Sequence, residues 1–113
     1  MKKPPAKSVA LLSRAELDAM IEEATIDAYD EEEQRTGFHA MMEDRLRLPF
    51  DTIVLGVAVT VERLDLRDDG AIVALCRRGD ARQAISVLDL PLPDPRPSGA
   101  EWIDAYRRWA CSS

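Results

Sequence analysis

The sequence predicts an α+β fold: two N-terminal helices, a small antiparallel β-barrel-like meander and a C-terminal helix. Three observations predict it. Apolar residues recur at helical spacing before Pro49. β-branched residues then crowd the stretch from Thr52 to Leu90. After a run of prolines an aromatic stripe returns to helical spacing. With 113 residues the chain fits one domain with a modest core. Residues 1–12 read as a loose basic tail and 13–113 as the single domain.

Lys2, Lys3, Pro4 and Pro5 cannot begin a lasting helix. Ser13 and Glu16 stand at capping-box spacing, so the first helix should start there. Leu17, Met20, Ile21, Ala24 and Ala28 form its apolar stripe. Gly37 is suited to a left-handed helix stop. Phe38, Met41, Met42 and Leu46 resume helical spacing in a second helix. Pro49 ends it, because the residue before a proline is pushed towards extended backbone.

TIVLGVAVTVERLDL (Thr52 to Leu66) reads as one long strand or two short ones bent at Gly56. RDDG, ending at Gly70, is a turn. AIVALCRR and QAISVLDL are further strands, joined through Gly79 and Asp80. LPLPDPRPS holds four prolines in nine residues and is a stiff loop. Ser98 and Glu101 repeat the capping-box spacing before Trp102, Ile103, Tyr106 and Trp109, the stripe of a closing helix.

Composition narrows the function classes. Apolar residues make up 46% and charged residues 32%, a globular balance. The net charge of −6 argues against nucleic acid and anionic membrane as partners, since both require a basic face. No segment reaches the length of a membrane span, and the N-terminal apolar run is too short and interrupted for a secretory signal, so a cytoplasmic protein is expected. Cys76 and Cys111 lack metal-ligand or CxxC spacing and are expected as free thiols. His39 has no cysteine neighbour and reads as a packed or surface histidine. Nucleophile, phosphate-loop and dinucleotide signatures are absent, so no enzymatic activity is expected.

The stretch DAYDEEEQRTG carries the functional signal. Asp27, Asp30, Glu31, Glu32 and Glu33 fall within seven residues, with Arg35 close behind. Two placements are open. If the first helix runs to about Arg35, these anions crowd its C-terminal end, where the dipole disfavours them, and the cost is about 1–3 kcal/mol. A bound cation would compensate. Ca²⁺ takes six to eight oxygen ligands, which clustered carboxylates and free helix-end carbonyls can supply. Glu43 and Asp44 could join if the Gly37 turn folds the second helix back. In the other placement Asp30 caps the second helix and Glu33 completes a capping box, leaving the acids as solvated surface. No EF-hand loop is present. Asp68, Asp69 and Gly70 read as a turn rather than a calcium loop.

DAYDEEEQRTG followed by EDRLRLPF (Glu43 to Phe50) resembles the bacterial CcbP-type calcium-binding family. The likeness is dense over Asp27–Phe50 and continues more weakly to VLDLPLP and the tryptophan-bearing last helix. It implies a small cytosolic protein that binds Ca²⁺ through surface acids without EF-hands. It also implies helices packed on a small β-barrel-like sheet. The acids matching the block are Asp27, Asp30, Glu31, Glu32, Glu33, Glu43 and Asp44. The chain departs from the family pattern after Gly37, where it has Phe38, His39, Ala40, Met41 and Met42 in place of further aromatics. In the strands only Glu62, Asp65, Asp68 and Asp69 are available for a second site. The alternative to a calcium protein is an interaction module whose acidic patch docks a basic protein surface.

Overall fold

The structure, a computed structural model, describes residues 12–112. The tail expected over residues 1–12 therefore lies, but for Leu12, outside the described residues. The elements run α1 (Arg14–Ala24), α2 (Glu31–Arg45), β1 (Phe50–Val54), β2 (Val57–Leu66), β3 (Ile72–Arg78), β4 (Ala81–Ser86) and α3 (Glu101–Ser112). The fold is α+β, in the expected order.

Helix α1 begins as its sequence dictates. Ser13 Oγ accepts from the Glu16 N–H at 3.1 Å, and Glu16 Oε1 accepts from the Ser13 N–H at 2.8 Å. Leu17, Met20 and Ile21 pack on the core and Ala24 is buried in it. The helix then stops at Ala24, well short of the long first helix to about Arg35 considered above.

Gly37 stops nothing. It lies inside α2, which runs unbroken from Glu31 to Arg45. The reason is packing: a Cβ on Gly37 would fall on the Ala24 carbonyl oxygen of α1. The glycine serves close approach of two helices, not a turn. One residue on, Phe38 is fully buried, as is Met42 a turn later.

The strands form one antiparallel sheet in the order β1-β2-β3-β4. The long β-branched stretch is two strands joined at Leu55 (φ 51°) and Gly56 (φ 80°), the left-handed pair of a tight hairpin. Thr52 pairs with Val59, Val61 with Cys76, and Ala74 with Ile85, with a bulge between Val61 and Arg63. The sheet does not close, so "barrel-like" holds only loosely. The proline segment spans the gap instead. Thr52 Oγ1 donates to the Pro91 carbonyl at 2.7 Å, which ties that segment to edge strand β1. From α3, Arg107 donates to the carbonyls of Val87 and Leu90.

The capping box expected at Ser98 and Glu101 does not form among the described residues. Gly99, at φ 90°, lies against the Arg45 backbone, where a Cβ would clash. The helix opens with a tight turn in which Trp102 N–H donates to the Gly99 carbonyl at 3.0 Å. The expected stripe holds: Trp102, Ile103 and Tyr106 are buried. Phe38 meets Tyr106 edge-on at 5.4 Å between centroids and Trp109 at 5.3 Å. Cys76, buried, and Cys111, exposed, are both free. No helix among the described residues is long and apolar enough to cross a membrane.

Two outcomes follow from this packing. Gly37→Ala should lower the melting temperature. Alanine favours a helix interior by about 1 kcal/mol, but overpacking against a backbone oxygen costs about 1–3 kcal/mol. A raised melting temperature would contradict the close contact. Separately, Arg77 Nε donates to Glu62 Oε2 at 2.6 Å and holds the Glu62 carboxyl below its ordinary value against the opposing effect of desolvation. A depressed folded-state pKa stabilises fully above the unfolded value and is lost as pH falls through the folded one. Carboxyl NMR should therefore find Glu62 titrating below ordinary glutamates, and Arg77→Ala should raise it.

Candidate metal centre

The acidic stretch sits in the α1–α2 connector and the first turn of α2, not at the end of the first helix. Thr25 closes α1, its Oγ1 donating to the Ile21 carbonyl at 2.8 Å. A turn follows in which Ala28 N–H donates to the Thr25 carbonyl at 3.0 Å. Asp27 takes φ 62° there, a left-handed conformation that aspartate tolerates better than most residues. Asp30 then caps α2: its Oδ1 accepts from the Glu33 N–H at 2.8 Å. Glu33 Oε1 reaches back to the Tyr29 N–H at 2.6 Å, one residue before the cap. This is the capping placement, slightly offset. Glu31, Glu32 and Glu33 occupy the first turn, where the helix dipole favours each by about 0.3–1 kcal/mol. The penalty considered for a helix C-terminus does not arise.

Arg35 supplies the partial counter-charge. It lies 3.4 Å from Glu31 and sits over the Trp109 ring at 5.8 Å from its centroid. Burial pushes the Tyr106 hydroxyl above its ordinary value, and the nearby Arg35 opposes that rise. A Cβ on Gly70 would meet the Arg35 guanidinium at 2.9 Å, so the β2–β3 turn closes down on this arginine. Between them lies a polar cleft of about 460 Å³, lined by Glu32, Arg35 and Thr36 from α2 and Arg67, Asp68 and Asp69 from the turn. In the sequence Asp68 and Asp69 read as turn residues and, with Glu62 and Asp65, as the acids available for a second site. They are turn residues, since Asp69 Oδ1 accepts from the Ala71 N–H at 2.9 Å, but they also face Glu32 across the cleft. Only tertiary packing reveals this, and the DDG signal alone pointed no further than a turn.

Glu43 and Asp44 do not join them. Because α2 is continuous, they stand about 15–20 Å further along its axis. Glu43 lies 3.5 Å from His39 Nε2, and Asp44 pairs with Arg45 at 3.0 Å. Of the other strand acids, Glu62 is taken by Arg77 and Arg82, and Asp65 by Arg67. Among the described residues no three of His, Cys, Asp and Glu are already gathered as a metal-holding group.

A family model described as "Calcium binding", of the CcbP type, matches residues 18–110. The chain belongs to the CcbP-type calcium-binding family. No curated protein and no solved structure matched it. The family match takes in the connector, α2, the whole sheet and most of α3, and the ion its description carries is Ca²⁺.

The donor chemistry of this CcbP-family chain suits that ion. Asp27, Asp30, Glu31, Glu32 and Glu33 are all exposed and offer hard carboxylate oxygens. Capping occupies one oxygen of Asp30 and one of Glu33 and leaves the other of each outside the described hydrogen bonds. The capping role separates from charge by substitution. Without metal, Asp30→Ala should lose about 0.5–2 kcal/mol in denaturant unfolding. Asp30→Asn, itself a good cap, should lose only a few tenths.

Proposed function

We propose that this protein is a small cytoplasmic Ca²⁺ buffer or sensor that acts by binding rather than turnover. Its ion is held at the α1–α2 connector by Asp27, Asp30, Glu31, Glu32 and Glu33. Asp68 and Asp69 extend the negative field from across the cleft. The observation that carries this reading is the surplus of charge at one place. Five carboxylates meet one arginine and a helix N-terminus worth roughly half a positive charge, which leaves about −3.5 on an exposed, flexible set of oxygens. Calcium accepts irregular geometry and six to eight oxygens, so side chains that are not already gathered can close on it with water completing the shell. Because closure must order several free side chains, binding belongs at the weak end, about 10⁻⁵ to 10⁻³ M. Glu43 and Asp44, on a separate stretch of α2, contribute at most a distant field.

Calorimetric titration with Ca²⁺ at physiological ionic strength tests this, with Mg²⁺ as control. Saturable heat is expected for the native chain. Asp30→Asn combined with Glu31→Gln and Glu32→Gln should weaken it at least tenfold. Asp68→Asn with Asp69→Asn should weaken it a few-fold, and Glu43→Gln with Asp44→Asn should leave it unchanged. Equal loss from the last pair would move the site down the helix, and absence of saturable heat in the native chain would remove it.

A further inference from the structure

At the end of the sheet away from the acids, the hairpin tips enclose a second concavity. It is a groove of about 610 Å³ walled by Val54, Leu55, Val57, Val59, Ile85 and Pro91. Leu55 is 97% exposed and neighbouring Ile53 55% exposed, so apolar surface continues over the rim. Arg78, Arg82 and Asp89 also border the groove. None of the ion pairs among the described residues uses Arg78. Arg82 has only a long contact, 3.7 Å, to a Glu62 that Arg77 already holds. The groove thus suits an occupant with apolar side chains and an acidic group for Arg78.

The same chain presents that chemistry elsewhere. In the α1–α2 connector Ile26 is 73% and Tyr29 90% exposed, set among Asp27, Asp30 and Glu31. Tyrosine in such a setting is a good anchor, with a large ring and little side-chain entropy to lose. The two surfaces cannot meet within one molecule. The first turn of α2, which the connector leads into, borders the β2–β3 turn, and the groove lies at the other end of β2, roughly 30 Å away along a ten-residue strand.

We propose that the groove receives the connector of a second copy of this chain, with Tyr29 and Ile26 in the apolar trough and the acids against Arg78. The contact is heterologous, one patch on its opposite, so copies add head to tail. Resting on the calcium site proposed above, it is also regulated: an ion on Asp27–Glu33 removes the charge that Arg78 would pair with and parts the copies.

Two exposed-residue variants of the full chain test the docking. One carries Ile26→Ser with Tyr29→Ser and keeps the groove. The other carries Leu55→Ser with Arg78→Glu and keeps the connector. In sedimentation without calcium at low salt, the native chain should show a mass that rises with concentration. Each variant alone should stay at the monomer mass. Their equimolar mixture should rise towards twice that mass and no further, because each half of the pair is capped. A mixture that remains monomeric, or a variant that still self-associates, overturns the proposal. Added Ca²⁺ should dissociate the native assembly more than NaCl of equal ionic strength. If the mixture pairs but Ca²⁺ does not part it, the docking stands and the placement of the ion at the connector falls.

Discussion

The structure hangs on one close approach, the crossing of α1 over α2 at Gly37, where there is no room for a side chain beside the Ala24 carbonyl. That contact sets the depth of α2. Phe38 is thereby driven into the core, where its ring meets Tyr106 and Trp109. Arg35, most of a turn earlier, is laid on Trp109 and becomes the floor on which Gly70 rests. The β2–β3 turn can then close on the first turns of α2, and Glu32 comes to face Asp68 and Asp69. A bulkier residue at 37 would act on the acidic cleft through this chain of contacts, without touching a carboxylate.

The electrostatics of the connector serve folding first. Three glutamates in the first turn of α2 and an aspartate at its cap are what a helix N-terminus prefers. The acids therefore need no metal to be tolerated, and mutual repulsion is not what argues for an ion. What argues for it is excess. A helix start is satisfied by one cap and one or two acids, and this one adds Asp27 in a left-handed turn before it and two further acids across a cleft. At the other end of the sheet Arg78 and Arg82 border the second groove, with Asp89 beside them.

Much of this was legible in the sequence, for physical reasons that differ by element. The Ser13–Glu16 box, the hairpins and the aromatic stripe of α3 are local or periodic signals, and they appear where the spacing puts them. Gly37 was misread because a glycine needed for a left-handed stop and one needed for helix contact look alike until the partner helix is in place. The end of α1 was open for the same reason. Asp30 suits a cap, and the apolar stripe continues to Ala28, so only the Thr25–Asp27 turn decides between one helix and two. The Ser98–Glu101 pair had correct spacing, yet Gly99 packs on Arg45 and takes the chain into the helix by another route. The seven acids read as one candidate set divide into a connector group and a distant pair, because helix continuity fixes their separation.

The capping arrangement also constrains what calcium can do here. Asp30 Oδ1 and Glu33 Oε1 already satisfy backbone N–H groups, so α2 starts correctly without an ion. In small zinc domains the metal free energy is folding free energy, and removal unfolds the chain. Here the aromatic cluster and the capped helix are held by the chain's own contacts, so at the proposed site only exposed side-chain oxygens would need to move to meet a cation. An ion held at the connector, as proposed, would change little in the backbone and much in the surface charge around Ile26 and Tyr29. A charge change beside exposed apolar groups alters which surfaces can approach. For a domain built this way the proposed site would act through contacts with other molecules rather than through a change in its own shape.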